Sequence, residues 1–149
     1  VITSEQYFGV KAHTPEHEAA FADLIDRRQR LRDEYYLATE REPNIDPDTG
    51  TEISGKKGGS GDGGFRLPTA TTGMGNSSHK DALGVDDSDQ QDEFDAWLDQ
   101  FEVPMPNGDA GGNTKLEEYG LYREHPSKTQ TWVHLTTRPP GSKKRTFMP

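Results

Sequence analysis

His79, Asp86 and His134 are the side chains whose types could together hold a metal ion. Two neutral imidazoles and one carboxylate supply three ligands and leave a divalent ion with residual positive charge. Zinc held this way keeps a position open, lowers the pKa of water bound there and polarises a carbonyl. The chain has no cysteine, so thiolate sites and disulfides are excluded. Any zinc must be held by histidine and carboxylate, a set that suits catalytic rather than structural zinc. His79 stands on the approach to the short apolar run Ala82–Val85, which reads as a buried strand, with Asp86 at its exit. A buried carboxylate is costly unless it is paired or bound to a metal. His134 lies inside a second β-like run, Thr131 to Thr137. Spacing alone leaves a plainer arrangement open, in which His134 is a cross-strand histidine and Asp86 caps the next helix.

The elements that must position these residues follow from pattern. Ile2 to Val10 is a lead segment whose Tyr7 and Phe8 are expected on the core. Thr14-Pro15-Glu16 is a helix start: a capping threonine, proline at the first helical position, then an acid. Phe21, Leu24, Ile25, Leu31 and Tyr35 recur at helical spacing with Arg28 in the stripe, which predicts an amphipathic helix from about Pro15 to about Leu37 with a solvated charged outer face. Ser88-Asp89-Gln90-Gln91 reads as a capping box. Phe94, Trp97, Leu98 and Phe101 then predict a second helix from about Asp89 to about Phe101. Lys115 to Tyr119 reads as a helical turn. Residues 120–122 and 132–135 read as strands of a hairpin, joined by the polar loop Glu124 to Gln130. The tail from Pro139 to Pro149 reads as extended and basic. The whole is an α+β layout, helices on a small antiparallel sheet.

At 149 residues one domain spanning 1–149 is expected, with a flexible loop at about 40–64 where proline and glycine accumulate. Two motif lookalikes fall in that loop. Gly50-Thr51-Glu52-Ile53-Ser54-Gly55-Lys56 has the spacing of a phosphate-binding loop, but Lys57 replaces the required hydroxyl residue and neither strand nor helix flanks it. Asp46 to Glu52 has the acids of a calcium loop but stops short of the full ligand set, so an exposed acidic turn is expected. The net charge of −9 argues against a general nucleic-acid surface. No apolar run approaches membrane-spanning length, and no signal-peptide core is visible.

The sequence resembles the zinc D,D-peptidase family, the group of D-Ala-D-Ala carboxypeptidases and phage endolysin peptidases that shares a fold with the hedgehog signalling domain. Ser77, His79 and Asp86 match its first motif, Ser-x-His with Asp seven residues after the His. Trp132 and His134 match the Trp-x-His of its late strand. Gly64-Phe65-Arg66 matches the upstream arginine motif, and Pro68 and the ending from Trp132 to Pro149 are similar to small phage members. The resemblance covers Gly64 to Pro149; the loop before it is unmatched. Within the first motif, Ala82 stands where the family usually has Gly, and Gly84 where it usually has Ala.

The resemblance implies a hedgehog/D,D-peptidase-like fold and Zn²⁺ on His79, Asp86 and His134. It implies hydrolysis of a stem or cross-link peptide of peptidoglycan, as endopeptidase or carboxypeptidase. Arg66, Ser77 and Trp132 would meet the substrate, with Arg66 binding its carboxylate or carbonyl. Many members carry the general base three residues before the second histidine, where this chain has Thr131. Glu124 is the best substitute, and His125 the next. A phage or prophage role follows, with phage virion proteins as further partners, in the host cytoplasm and then the periplasm or cell wall, or on the virion. A non-catalytic virion or binding protein that keeps fold and metal is the alternative; a metal-dependent nuclease is disfavoured by the acidic surface and the absent His-Asn-His pattern.

Overall fold

The computed structural model describes residues 1–55, 63–67 and 77–149. The short helix α1 (Ser4–Phe8) precedes α2 (Pro15–Thr39). A 3₁₀ turn (Ser78–Asp81) leads into β1 (Gly84–Ser88), followed by α3 (Glu93–Asp99), β2 (Glu102–Val103), β3 (Gly112–Asn113), α4 (Thr114–Tyr119), β4 (Tyr122–Glu124), β5 (Trp132–Thr136) and β6 (Thr146–Phe147). Helices and a small sheet make an α+β fold. The main sheet has the order β1-β5-β4-β6. It is mixed rather than purely antiparallel, because the tail returns as β6 parallel to β4. The expected hairpin is present as β4 and β5, antiparallel with Tyr122 opposite Thr136.

Strand alternation sorts the side chains to two faces. Val85, Val133 and Leu135 enter the core together with Phe21, Leu24, Leu31 and Tyr35 of α2. Asp86, Trp132, His134 and Thr136 fall on the other face. Thr14 caps α2, accepting a hydrogen bond from the His17 N–H, with Pro15 at the first helical position.

Where the structure departs from the sequence reading, buried charge is the usual cause. The first strand is not Ala82–Val85 but Gly84–Ser88, so Asp86 lies mid-strand. Its neighbour Asp87 is fully buried on the core face, where Arg28 bonds both carboxylate oxygens and Arg32 Nη2 lies 3.1 Å from Oδ1. Arg32 therefore belongs to the inner face of α2, not to its solvated one. Helix α3 begins four residues later than expected. The cap position is Asp92 rather than Ser88, and the carboxylate of Asp89 accepts from the N–H groups of Glu93, Phe94 and Asp95.

The expected flexible loop is, over residues 41–55, a packed strap. Ser88 N–H donates to Glu52 O at 2.7 Å and Ser54 N–H to Asp86 O at 2.8 Å, so the strap covers the free edge of β1. The acidic turn is exposed only at its tip, where Asp48 lies: Asp46 is buried and accepts from Asp48 and Thr49 N–H. Glu52 receives Arg28 Nη2 at 2.6 Å and the Tyr36 hydroxyl at 2.8 Å. Lys56 and Lys57 of the phosphate-loop lookalike, and Pro68, lie outside the described residues.

Arg28 thus ties α2 to both the strap and the strand that carries Asp86. Breaking a buried ion network by removing one partner leaves charge uncompensated. Arg28→Ala is expected to lower unfolding stability by about 3–5 kcal/mol, read as a shift of the urea midpoint. A loss below about 1 kcal/mol would show that the network is not what joins helix to strand.

Candidate metal centre

Asp86 and His134 are directly opposite each other on β1 and β5. His79 reaches them from the 3₁₀ turn, not from a strand. Asp86 Oδ1 lies 2.8 Å from His134 Nδ1 and 3.2 Å from His79 Nε2. One donor atom from each of the three residues falls within 4.8 Å of the others, a set able to hold a metal ion. Burial alone would push the Asp86 carboxyl up, but the charge on His79 and hydrogen bonds from both imidazoles hold it well below the usual carboxylate range.

Partners behind the imidazoles orient them. His79 Nδ1 is 2.8 Å from the Gly64 carbonyl. A carbonyl only accepts, so Nδ1 carries the proton and Nε2 is the nitrogen left for a ligand bond. His134 Nε2 is 3.2 Å from Ser78 Oγ, which leaves Nδ1 facing Asp86. Gly84 makes room for this arrangement: a Cβ there would sit 2.2 Å from Ser78 Oγ and 2.9 Å from His134 Cε1. Ala82 closes the 3₁₀ turn at φ 58°, a left-handed conformation in which glycine carries less strain. The two departures in the first motif therefore have different consequences. Gly84 accommodates Ser78, whereas Ala82 is held in place by burial despite its backbone.

His79, Asp86, His134 and Ser78 line a cavity of about 480 Å³. Arg66, Ser77, Glu124 and Trp132 line it as well. Arg66 Nη2 is 3.9 Å from Asp86 Oδ2 and Nη1 is 3.5 Å from Ser77 Oγ, which also accepts from the His79 N–H. Residues 63–67 brace the His79 turn: Arg66 N–H donates to His79 O at 3.1 Å, and Phe65 is buried.

Glu124 comes in on β4. The β4–β5 register pairs Arg123 with Leu135, so its continuation sets Glu124 beside His134 on the cavity face. Burial pushes the Glu124 carboxyl up from its ordinary value; His134 pulls it down and Asp86 pushes it further up. His125 is not brought to the cavity. It is exposed and its Nδ1 accepts from the Ser127 N–H, capping a 3₁₀ turn. Thr131 is exposed and outside the cavity lining. Tyr122 does not wall the cavity either, but lies under the Arg145 guanidinium at 4.2 Å.

Sequence reasoning missed the far wall: Pro139, Pro140, Phe147 and Met148 from the tail, with Arg138. The signal for it was present in the proline pair, which cannot continue a strand. Ser78 was also missed; its place between two motif residues marked it as near, not as a partner of His134.

Asp89, Asp92 and Asp95 form a second close carboxylate group. Part of this group is engaged in the fold: Asp89 caps α3 and Asp95 Oδ1 accepts from Arg123 Nη1 at 2.8 Å, while Asp95 Oδ2 is buried without a hydrogen-bond partner. Burial pushes the Asp95 carboxyl up to about 7 against the pull of Arg123. No family model, curated protein or solved structure matches the chain. No helix among the described residues is long and apolar enough to cross a membrane.

Proposed function

We propose that the chain is a zinc-dependent peptidoglycan peptidase of phage or prophage type, hydrolysing a stem or cross-link peptide bond. The observation that carries this reading is the meeting of His79, Asp86 and His134 in one cavity with Glu124 and Arg66. The donor set suits zinc: two imidazole nitrogens fixed by outer partners and one carboxylate. When bound, zinc supplies Lewis acidity, polarising a carbonyl and making a nearby water more acidic.

The chain's own residues do the rest. Arg66 sits beside the metal ligands with its guanidinium toward the cavity and orients a carboxylate or carbonyl of the peptide. Glu124 takes the proton from the attacking water as the carbon–oxygen bond forms. It returns that proton to the leaving nitrogen as the carbon–nitrogen bond breaks. Trp132 and the tail prolines wall the groove and limit water around the reacting carbonyl.

The test is zinc content together with release of new amino termini from purified peptidoglycan. One zinc per chain with cleavage is the expected result. Stoichiometric zinc without cleavage would replace this reading with that of a non-catalytic binding protein, and no zinc would remove both.

A further inference from the structure

We infer that Tyr7 is a positioning residue of the metal centre, holding both His79 and the strand that carries Asp86 from behind. The inference rests on the metal-binding part of the reading above and not on peptide cleavage. Tyr7 belongs to α1, far from either residue in the chain. Residues 63–65 make the link. The Asp86 N–H donates to Gly63 O at 2.8 Å, His79 Nδ1 donates to Gly64 O at 2.8 Å, and the Phe65 N–H donates to Tyr7 O at 2.9 Å. The last two bonds belong to one peptide unit, the Gly64 C=O and the Phe65 N–H. That unit is planar and rigid. When the Tyr7 carbonyl fixes the N–H on one side, it fixes the direction of the C=O on the other, and that C=O sets the tautomer of His79. Two bonds in series through one amide also polarise each other. Gly64 permits the close approach, since a Cβ there would meet Tyr7 O at 2.5 Å.

The side chain of Tyr7 reaches the other ligand. Its hydroxyl donates to Gly84 O at 2.7 Å. Gly84 and Asp86 are alternate residues of β1, so their backbone groups face the same edge. Along that edge the Gly84 carbonyl meets Tyr7, the Asp86 N–H meets Gly63 and the Asp86 carbonyl meets Ser54. Tyr7 itself is anchored: it is 2% exposed, with its ring 4.7 Å from that of Phe21 on α2. Any buried hydroxyl needs a partner somewhere. Here the hydroxyl and the carbonyl of one residue close on the two backbone segments that hold an imidazole and a carboxylate of the same centre. The motif resemblance begins at Gly64, and this contact makes the segment before it part of the metal site.

The experiment is zinc titration against a competing chelator, with nitrogen NMR of the His79 imidazole in the metal-free protein at alkaline pH. Tyr7→Phe keeps the ring and removes the hydroxyl, leaving the Gly84 carbonyl unpaired. It is expected to weaken zinc binding by about tenfold, the lower end of what loss of an outer partner does. Gly64→Ala pushes the Tyr7 carbonyl away and is expected to weaken it at least as much. The parent is expected to show the single Nδ1–H tautomer of His79, and both variants a mixture. Leu31→Val thins the core of α2 and makes none of these hydrogen bonds, so it is expected to lower the urea midpoint while leaving zinc affinity and tautomer at parental values. Parental zinc affinity in Tyr7→Phe overturns the inference, as does an equal loss in Leu31→Val. If the parent binds no zinc, the metal reading fails and the tautomer decides: a mixture in Tyr7→Phe and Gly64→Ala but not in Leu31→Val upholds the positioning role, and an unchanged tautomer in both overturns it.

Discussion

His134→Ala is expected to take the protein's zinc from one per chain to none after dialysis, and hydrolysis with it. His134 is central because its strand position faces Asp86 directly and its Nδ1 shares Asp86 Oδ1 with His79. Without it the ion keeps one imidazole and one carboxylate, fewer protein ligands than such a site needs. The effect should exceed the roughly 10–100-fold loss in affinity that follows removal of an outer partner. Ser78→Ala supplies that milder comparison, since Ser78 Oγ touches only the far nitrogen of His134. Metal titration of both variants beside the parent checks the order. Unfolding of the metal-free proteins separates ligand loss from damage to the fold: His134 lies on the cavity face, so the core made by Val133 and Leu135 is untouched. Tight zinc binding by His134→Ala would remove the proposed ligand set.

What the sequence made legible has a common physical basis, and so does what it hid. Apolar spacing located α2 to within about two residues at its C-terminal end, because Phe21, Leu24, Leu31 and Tyr35 all enter one core. The group able to hold a metal was legible by type, since few buried arrangements tolerate two histidines and an aspartate together. The extent of β1 was not. Asp86-Asp87-Ser88 looks like solvent-facing loop, and Asp87 becomes a core residue only because Arg28 and Arg32 come from a helix more than fifty residues away in the chain. The strap over residues 41–55 was hidden for the same reason. Its composition is that of a loop, but Asp46 and Glu52 are buried on partners that local pattern does not reveal. Strand β6 is two residues long, too short for any period to announce it, yet it brings Phe147 and the tail to the cavity wall.

Glu124→Gln is expected to separate zinc binding from catalysis. The change keeps shape and removes the ability to take a proton, so kcat should fall by about 10²–10⁴-fold while zinc stays at one per chain. Because the carboxylate acts in the transition state, KM should move little. The sheet supports this proposed role. Asp86, His134 and Glu124 stand on three adjacent strands, in a row that the β1–β5 pairing and the continued β4–β5 register define. That row supplies from β4 the acid that Thr131, exposed and outside the cavity, does not supply from the approach to β5. His125 points the other way, into its own 3₁₀ cap, so His125→Ala should leave kcat within about twofold, as surface substitutions away from a site usually do. Steady-state kinetics on one peptide with all three proteins decides the matter. A Glu124→Gln protein with parental kcat would move proton transfer to another group, and a His125→Ala protein that lost activity would name it.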